Sequence, residues 1–204
     1  WDEMRVKVHL FGREARQWRR LKSMTGVIGR KGMGWGLGLH PAIKSQPQKV
    51  EGDLKSSAGA FRLGDAYGYE PFLPFRIRWP YAQSSAQLVC VDDTSSKFYN
   101  KIVLKGSTQD WKSAEDMLRK DNLYQRLVVV EHNNAGPVAG RGSCIFFHIW
   151  KDKKSGTAGC TALAQKDMEF IVQWLDPALK PVLIQLPREV YGEVAGIWNL
   201  PPSP

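Results

Sequence analysis

The sequence predicts a mainly-β domain with one or two helices on its flank, and three features carry that reading. Short alternating or β-branched apolar segments outnumber helical ones. Glycine, proline and aromatic residues punctuate the stretches between them. A clear helical stripe occurs in one long segment, from about Ala164 to Leu175. At 204 residues and 43% apolar content, the chain supports one substantial core and little more.

Taken in order, Val6–Phe11 alternates as a strand does. Thr25–Gly38 reads as paired strands about Gly29-Arg30-Lys31-Gly32, where glycines admit a tight turn. His40–Ala58 is polar, rich in Pro, Gly and Ser, and reads as a long loop. Gly64–Ser85 sets six aromatics (Tyr67, Tyr69, Phe72, Phe75, Trp79, Tyr81) among Gly and Pro. That predicts irregular, partly extended chain, its rings packed under loops or lining a groove. Ser113–Lys120 predicts a short helix, with Ser113 as N-cap and Asp116 three residues on. Leu127-Val128-Val129-Val130, within Arg126–His132, suits a buried strand. Ser143–Trp150 is a second, and Pro181–Leu186 a closing one. Between them, Met168, Ile171, Val172, Trp174 and Leu175 share one helix face. The Pro-rich tail to Pro204 reads as irregular.

The formal net charge of +9 favours an anionic partner. Basic residues gather near the start (Arg13, Arg16, Arg19, Arg20, Lys22, Arg30, Lys31). No zinc-finger spacing, RNP-like aromatic motif or helix-turn-helix pattern accompanies them, so a nucleic-acid role is not expected. A carboxylate-bearing polymer fits the charge equally well. No stretch approaches the roughly 20 apolar residues of a membrane-spanning helix. The sequence opens at Trp1 rather than Met, so a processed chain is expected, any leader or anchor removed.

Three cysteines occur, Cys90, Cys144 and Cys160. An odd count leaves at least one thiol free. Cys90 and Cys144 can pair in an oxidising compartment; a buried, unpaired thiol is the expectation for Cys144, inside an apolar run. Cys160 follows Gly159 and lies a few residues before the predicted helix, so its backbone can present N–H groups to an oxyanion. His148 closes the preceding strand, within reach as a base. The chain has no Cys-x-x-Cys or His-x-x-x-His pair, so neither a metal nor another cofactor is expected. His132 reads as a histidine bonded to backbone, with contact to a substrate as the alternative. Asp92 and Asp93 read as turn-capping residues.

The block Gly140-Arg141-Gly142-Ser143-Cys144-Ile145-Phe146-Phe147-His148, a polar turn, then Thr157-Ala158-Gly159-Cys160-Thr161-Ala162-Leu163, resembles the signature of L,D-transpeptidase catalytic (YkuD-type) domains. Gly52-Asp53-Leu54-Lys55-Ser56-Ser57-Ala58-Gly59-Ala60-Phe61 is similar to the family's Gly-Asp-x-Lys-Thr-Pro-x-Gly-x-Phe segment, with Ser57 in place of Pro. Cys90-Val91-Asp92-Asp93, Tyr99-Asn100 and Glu131-His132-Asn133 resemble features of one branch. The resemblance spans about Gly26 to Leu186 and implies a β-sandwich-like single catalytic domain over residues 1–204, core about 26–186. It implies Cys160 as acyl acceptor, His148 as general base, the Ile149 carbonyl orienting the imidazole, and Gly159 and Cys160 N–H groups as oxyanion hole. The implied substrate is a peptidoglycan stem peptide, the implied place the periplasm or cell envelope, and no cofactor is implied. Ala158 and Ala162 stand where the family usually has His and Arg or Asn. Arg141 is the candidate replacement for that Arg, with Arg30 the weaker one. Ser143, Thr157 and His132 are further candidates for substrate contact. Transfer to an amine is the expected reaction; transfer to water (carboxypeptidase or endopeptidase) and a non-catalytic peptidoglycan-binding module are the alternatives.

Overall fold

The computed structural model describes residues 1–15 and 17–202. Arg16 of the basic cluster, and Ser203 and Pro204 of the tail, lie outside the described residues. Strands β1 (Arg5–Glu14) and β2 (Gln17–Val27) form a long antiparallel ribbon. Then come β3 (Met33–Trp35), β4 (Ser56–Gly68), β5 (Tyr81–Gln83), β6 (Leu88–Val91), β7 (Ile102–Leu104) and β8 (Ala114–Asp116). Strands β9 (Arg126–Val130), β10 (Phe146–Ile149) and β11 (Thr161–Leu163) lead into helix α1 (Gln165–Trp174). Strand β12 (Val182–Gln185) and helix α2 (Arg188–Val194) follow. Among the described residues, nine strands form one mixed sheet in the order β1-β2-β11-β10-β9-β4-β12, with β3 and β5 also pairing with β4. The other three form a second sheet, β7-β6-β8. The architecture is mainly β with two helices, as the sequence predicts.

The two-residue period of the strands decides what lies on each side of the large sheet. From β9, β10 and β11, Val128, Val130, Phe147, Ile149 and Leu163 pack with Met168, Ile171, Val172 and Leu175 of α1. This is the main core, and all nine side chains are buried. The alternate residues Leu127 and Phe146 pack with Cys90, Met117, Tyr124, Cys144 and Cys160, where the small sheet and its flanking loops cover the opposite face. Strand β4 runs beside β9, and its Gly59, at φ +143°, lies against the His40 ring. A Cβ there would fall 2.0 Å from His40 Nε2, so only glycine fits.

Several sequence expectations are revised. Ser113–Lys120 is not a helix: Ala114–Asp116 pairs antiparallel with β6, and the Ser113 hydroxyl goes to Asp92 instead of capping a first turn. Strands β2 and β3 do not pair with each other; β3 runs parallel to β4. The loop predicted to Ala58 ends earlier, because Ser56 already begins β4, which continues through the expected irregular stretch to Gly68. The tail is not wholly irregular, since it contains α2. The closing strand and α1 fall within the predicted ranges. Among the aromatics, Trp79 is buried, its indole N–H donating to the Gly64 carbonyl at 2.9 Å, whereas Phe72 is exposed.

The expectation of an unpaired Cys144 is overturned: Cys90 of β6 and Cys144 form a disulfide, leaving Cys160 as the free, buried thiol. Cys144 sits at φ +52°, an unfavourable region for a side chain with a Cβ. Asn100 holds it there, its Oδ1 accepting the Cys144 N–H at 2.9 Å while its Nδ2 donates to the His132 and Asn133 carbonyls. His132 is buried beside this loop, accepting the Leu37 N–H at Nδ1 (3.1 Å) and donating from Nε2 to the Arg141 carbonyl (2.8 Å).

Two predictions follow from these ties. Because the disulfide spans 54 residues of sequence, its replacement by a Cys90→Ser/Cys144→Ser pair is expected to lower unfolding free energy by about 4 kcal/mol at most in urea titrations. Burial lowers the His132 pKa to about 4 from 6.5. The unfolded chain therefore binds the extra proton between those values, so stability is full above pH 6.5 and falls as pH drops toward 4. At pH 5 the loss from this one group is about 2 kcal/mol. Urea titrations at pH 7.5 and 5 are expected to show a loss larger than that in the native protein, because buried His148 adds its own share, and a loss smaller by about that amount in His132→Gln.

Candidate active site

Strands β10 and β11 are parallel, with His148 opposite Ala162 and Phe147 opposite Thr161. Cys160 immediately precedes β11, so by alternation it shares a sheet face with Ala162, His148 and Phe146. That face looks toward the small sheet, away from α1. His148 Nδ1 lies 2.7 Å from the Ile149 carbonyl. A carbonyl only accepts, so Nδ1 carries the proton and Nε2 of the neutral ring is left with its lone pair. The ring is 6% exposed and the Cys160 residue 8% exposed.

A hydrogen-bonded turn carries the thiol. Thr157 Oγ1 accepts the Gly159 N–H at 3.1 Å and donates to the Cys160 carbonyl at 2.6 Å. Ser56, fully buried at the start of β4, donates to the Gly159 carbonyl at 2.6 Å and accepts the Gly29 N–H at 2.9 Å. The Gly159 amide is thus spent within the turn, and the Cys160 amide takes no part in those bonds. The Sγ receives the Phe146 N–H at 3.3 Å and lies 3.5 Å from the Cys144 carbonyl. The helix does follow Cys160 by a few residues, as expected, but its N-terminus does not adjoin the thiol. Strand β11 intervenes, putting the first turn of the helix about 10 Å further along the chain.

Electrostatics keep both groups neutral. Burial pushes the Cys160 thiol up to about 12, and the Glu115 carboxylate adds to the rise, while the Phe146 N–H, Lys49 and Tyr124 oppose it. Burial holds His148 down to about 4; the Ile149 carbonyl opposes this, and the Arg119 charge assists it. The resting pair is thiol and imidazole, and no thiolate–imidazolium ion pair is formed.

The remaining sequence candidates are placed as follows. Ser143 donates to Glu51 at 2.7 Å. The Arg141 guanidinium is engaged by Gln48 Oε1 at 2.6 Å and the Lys49 carbonyl at 3.3 Å, and its charge bears on His132, not His148. Arg30 is exposed at the turn before β3. His132 has both ring nitrogens occupied by backbone groups. Asp93 caps its turn through Ser95 and Lys112. Among the described residues no group of three or more metal-ligating side chains occurs.

Three residues beside the pair were not singled out in the sequence. The Tyr124 ring lies edge-on to His148, centroids 5.1 Å apart, and packs in the cluster that holds Cys160. Its hydroxyl donates to Glu115. The Arg119 guanidinium sits over the same ring at 5.0 Å, with Asp121 at 2.8 Å and Glu115 at 3.5 Å. No motif joins Glu115, Arg119 and Tyr124 in the chain; only the pairing of β8 with β6 and the packing before β9 bring them over the site. A cleft of about 390 Å³ runs between the small sheet and β9, bordered by the disulfide and Phe146; Cys160 lies behind that wall.

A family model for the L,D-transpeptidase catalytic domain (YkuD) matches residues 13–184. No curated protein and no solved structure matches the chain. With most of the sequence under that model, Cys160 included, the chain belongs to the L,D-transpeptidase catalytic domain (YkuD) family.

Proposed function

We propose that the chain is a peptidoglycan L,D-transpeptidase with Cys160 as nucleophile and His148 as base. The supporting observation is that two adjacent parallel strands set both side chains on one covered face, the imidazole oriented by the Ile149 carbonyl with Nε2 unprotonated. His148 takes the thiol proton as Sγ attacks the amide carbonyl after the third, diamino acid residue of a stem tetrapeptide. The C–N bond breaks, the terminal D-alanine leaves with the proton from His148, and a thioester remains. An acceptor amine then attacks the thioester, giving its proton to His148, and the thiol is restored as the cross-link forms. Since Thr157 occupies the Gly159 amide, the oxyanion donor within this turn is the Cys160 N–H. Water in the amine's place makes the same site a carboxypeptidase or endopeptidase.

Arg119 is better placed than Arg141 to receive a stem-peptide carboxylate, because its charge reaches His148 and a third of its side chain is exposed. The Cys90–Cys144 disulfide suits an oxidising compartment outside the cytoplasm, the periplasm or cell envelope, where peptidoglycan lies. The +9 charge suits an anionic wall polymer. No helix among the described residues is long and apolar enough to cross a membrane.

Incubation with purified muropeptides, followed by mass spectrometry, tests the reading. Cross-linked dimers are expected from the native protein and none from Cys160→Ala; undiminished turnover by that variant sinks the mechanism, and tripeptide alone assigns hydrolysis. Arg119→Ala is expected to lower kcat/KM for the tetrapeptide by roughly tenfold to a hundredfold, the worth of a charged hydrogen bond.

A further inference from the structure

Strand β8 and the segment before β9 bring a carboxylate and a phenol over the site, Tyr124 packing in one cluster with Cys160, and the reaction above gives neither a task. Glu115 is a partly buried carboxylate at the centre of β8, its side chain 28% exposed, held by the Tyr124 hydroxyl and by Arg119. Tyr124 is buried between the His148 ring, the Phe146 ring and the Arg119 guanidinium, with Cys160 in its own cluster. A phenol has one proton to give. While that proton goes to Glu115, the phenol has only lone pairs for its other neighbours, so it can lower the Cys160 thiol, as a donor does, only by giving up the Glu115 bond.

We propose that Tyr124 and Glu115 are positioning residues that form a hydroxyl relay over Cys160, keeping the thiol protonated while Glu115 holds the Tyr124 proton and stabilising the thiolate once Glu115 releases it. This deepens the transpeptidase reading and rests on it for its biological meaning. On release, the phenol O–H rotates to donate to S⁻, and the sulfur's own proton passes to His148 Nε2; no bond other than hydrogen bonds changes at Tyr124. The relay is consistent with burial and the Glu115 charge together raising the thiol. Besides the Cys144 carbonyl at 3.5 Å, which only accepts, the groups acting on the sulfur are the Phe146 N–H from β10 and the Lys49 ammonium from the loop before β4, the latter fixed by Asp53 at 2.6 Å. Neither can change donors as the phenol can: one is backbone, and the other is held in its ion pair.

The test is the pH dependence of iodoacetamide alkylation on the full chain, read by intact mass. Cys160 is the one free thiol, so a Cys160→Ser blank defines zero. Glu115→Gln is expected to speed alkylation at pH 8 at least tenfold and to move the midpoint of the rate profile down by a unit or more. In a Tyr124→Phe background the same Glu115→Gln change is expected to lose most of that gain, because no phenol remains to turn to the thiolate. An unmoved midpoint in Glu115→Gln overturns the relay. An equal gain in both backgrounds also overturns it, since loss of charge alone would then explain the effect. Circular dichroism checks folding; if Gln is not accommodated, Glu115→Met removes the same charge and is read the same way. Alkylation needs no muropeptide, so an absent cross-linking activity with an intact Tyr124-dependent shift would refute the transpeptidase reading and leave the relay standing.

Discussion

Strands β10 and β11 run parallel inside the nine-stranded sheet, and the two-residue period of extended chain divides their side chains between two unlike surroundings. Phe147, Ile149 and Leu163 go to the α1 side and are sealed there with Met168, Ile171 and Val172. His148 and Cys160 go to the other side, under the small sheet. A slip of one residue in this pair would exchange the two sets, burying an imidazole in the main core and moving two large apolar residues under the small sheet. The apolar packing of one face thus fixes the registry of the polar chemistry on the other. It also explains why a site can stay rigid on strands only three and four residues long.

Polar ties then fix what strand registry cannot. The turn from Thr157 to Cys160 has little regular structure, yet Thr157, Ser56 and backbone groups of the β2–β3 connection take up its donors and acceptors. Ser56 is the central link, since one hydroxyl joins Gly29 and Gly159, two points far apart in sequence. On the opposite side, Asn100 and the Cys90–Cys144 disulfide hold Cys144 in its positive-φ conformation, and the Cys144 carbonyl lies against the thiol. The sulfur is therefore located from both directions by backbone, with side chains acting as struts.

How much of this the sequence disclosed depends on the range of the interactions. The run Leu127–Val130 and the stripe of α1 announce themselves because burial acts on each residue locally, through β-branching or a 3.6-residue period. The Cys160 and His148 pairing was legible because both residues close short motifs around one connection. Strand β8 was misread because its propensities suit a helix turn, and pairing with β6 outweighs them. The Cys90–Cys144 bond was misjudged for the same reason: its partner stands 54 residues away, and an apolar neighbourhood says nothing about what crosses from another sheet. Tyr124, Glu115 and Arg119 lay within segments read as loop or helix, and no spacing rule links a tyrosine before one strand to a glutamate on another.

The covered face carries a tension that bears on how a nucleophile there can work. Burial supplies the dry, low-dielectric surroundings in which an oxyanion donor is most effective, and the same burial opposes forming the thiolate. In the proposed relay the cover's own carboxylate and phenol set the sulfur's protonation, so the conflict is met by an exchange of hydrogen bonds at Tyr124 while the sulfur stays covered. The disulfide ties β6, the strand that pairs with β8, to the chain entering β10, so the strand carrying Glu115 and the strand carrying His148 are held to one frame.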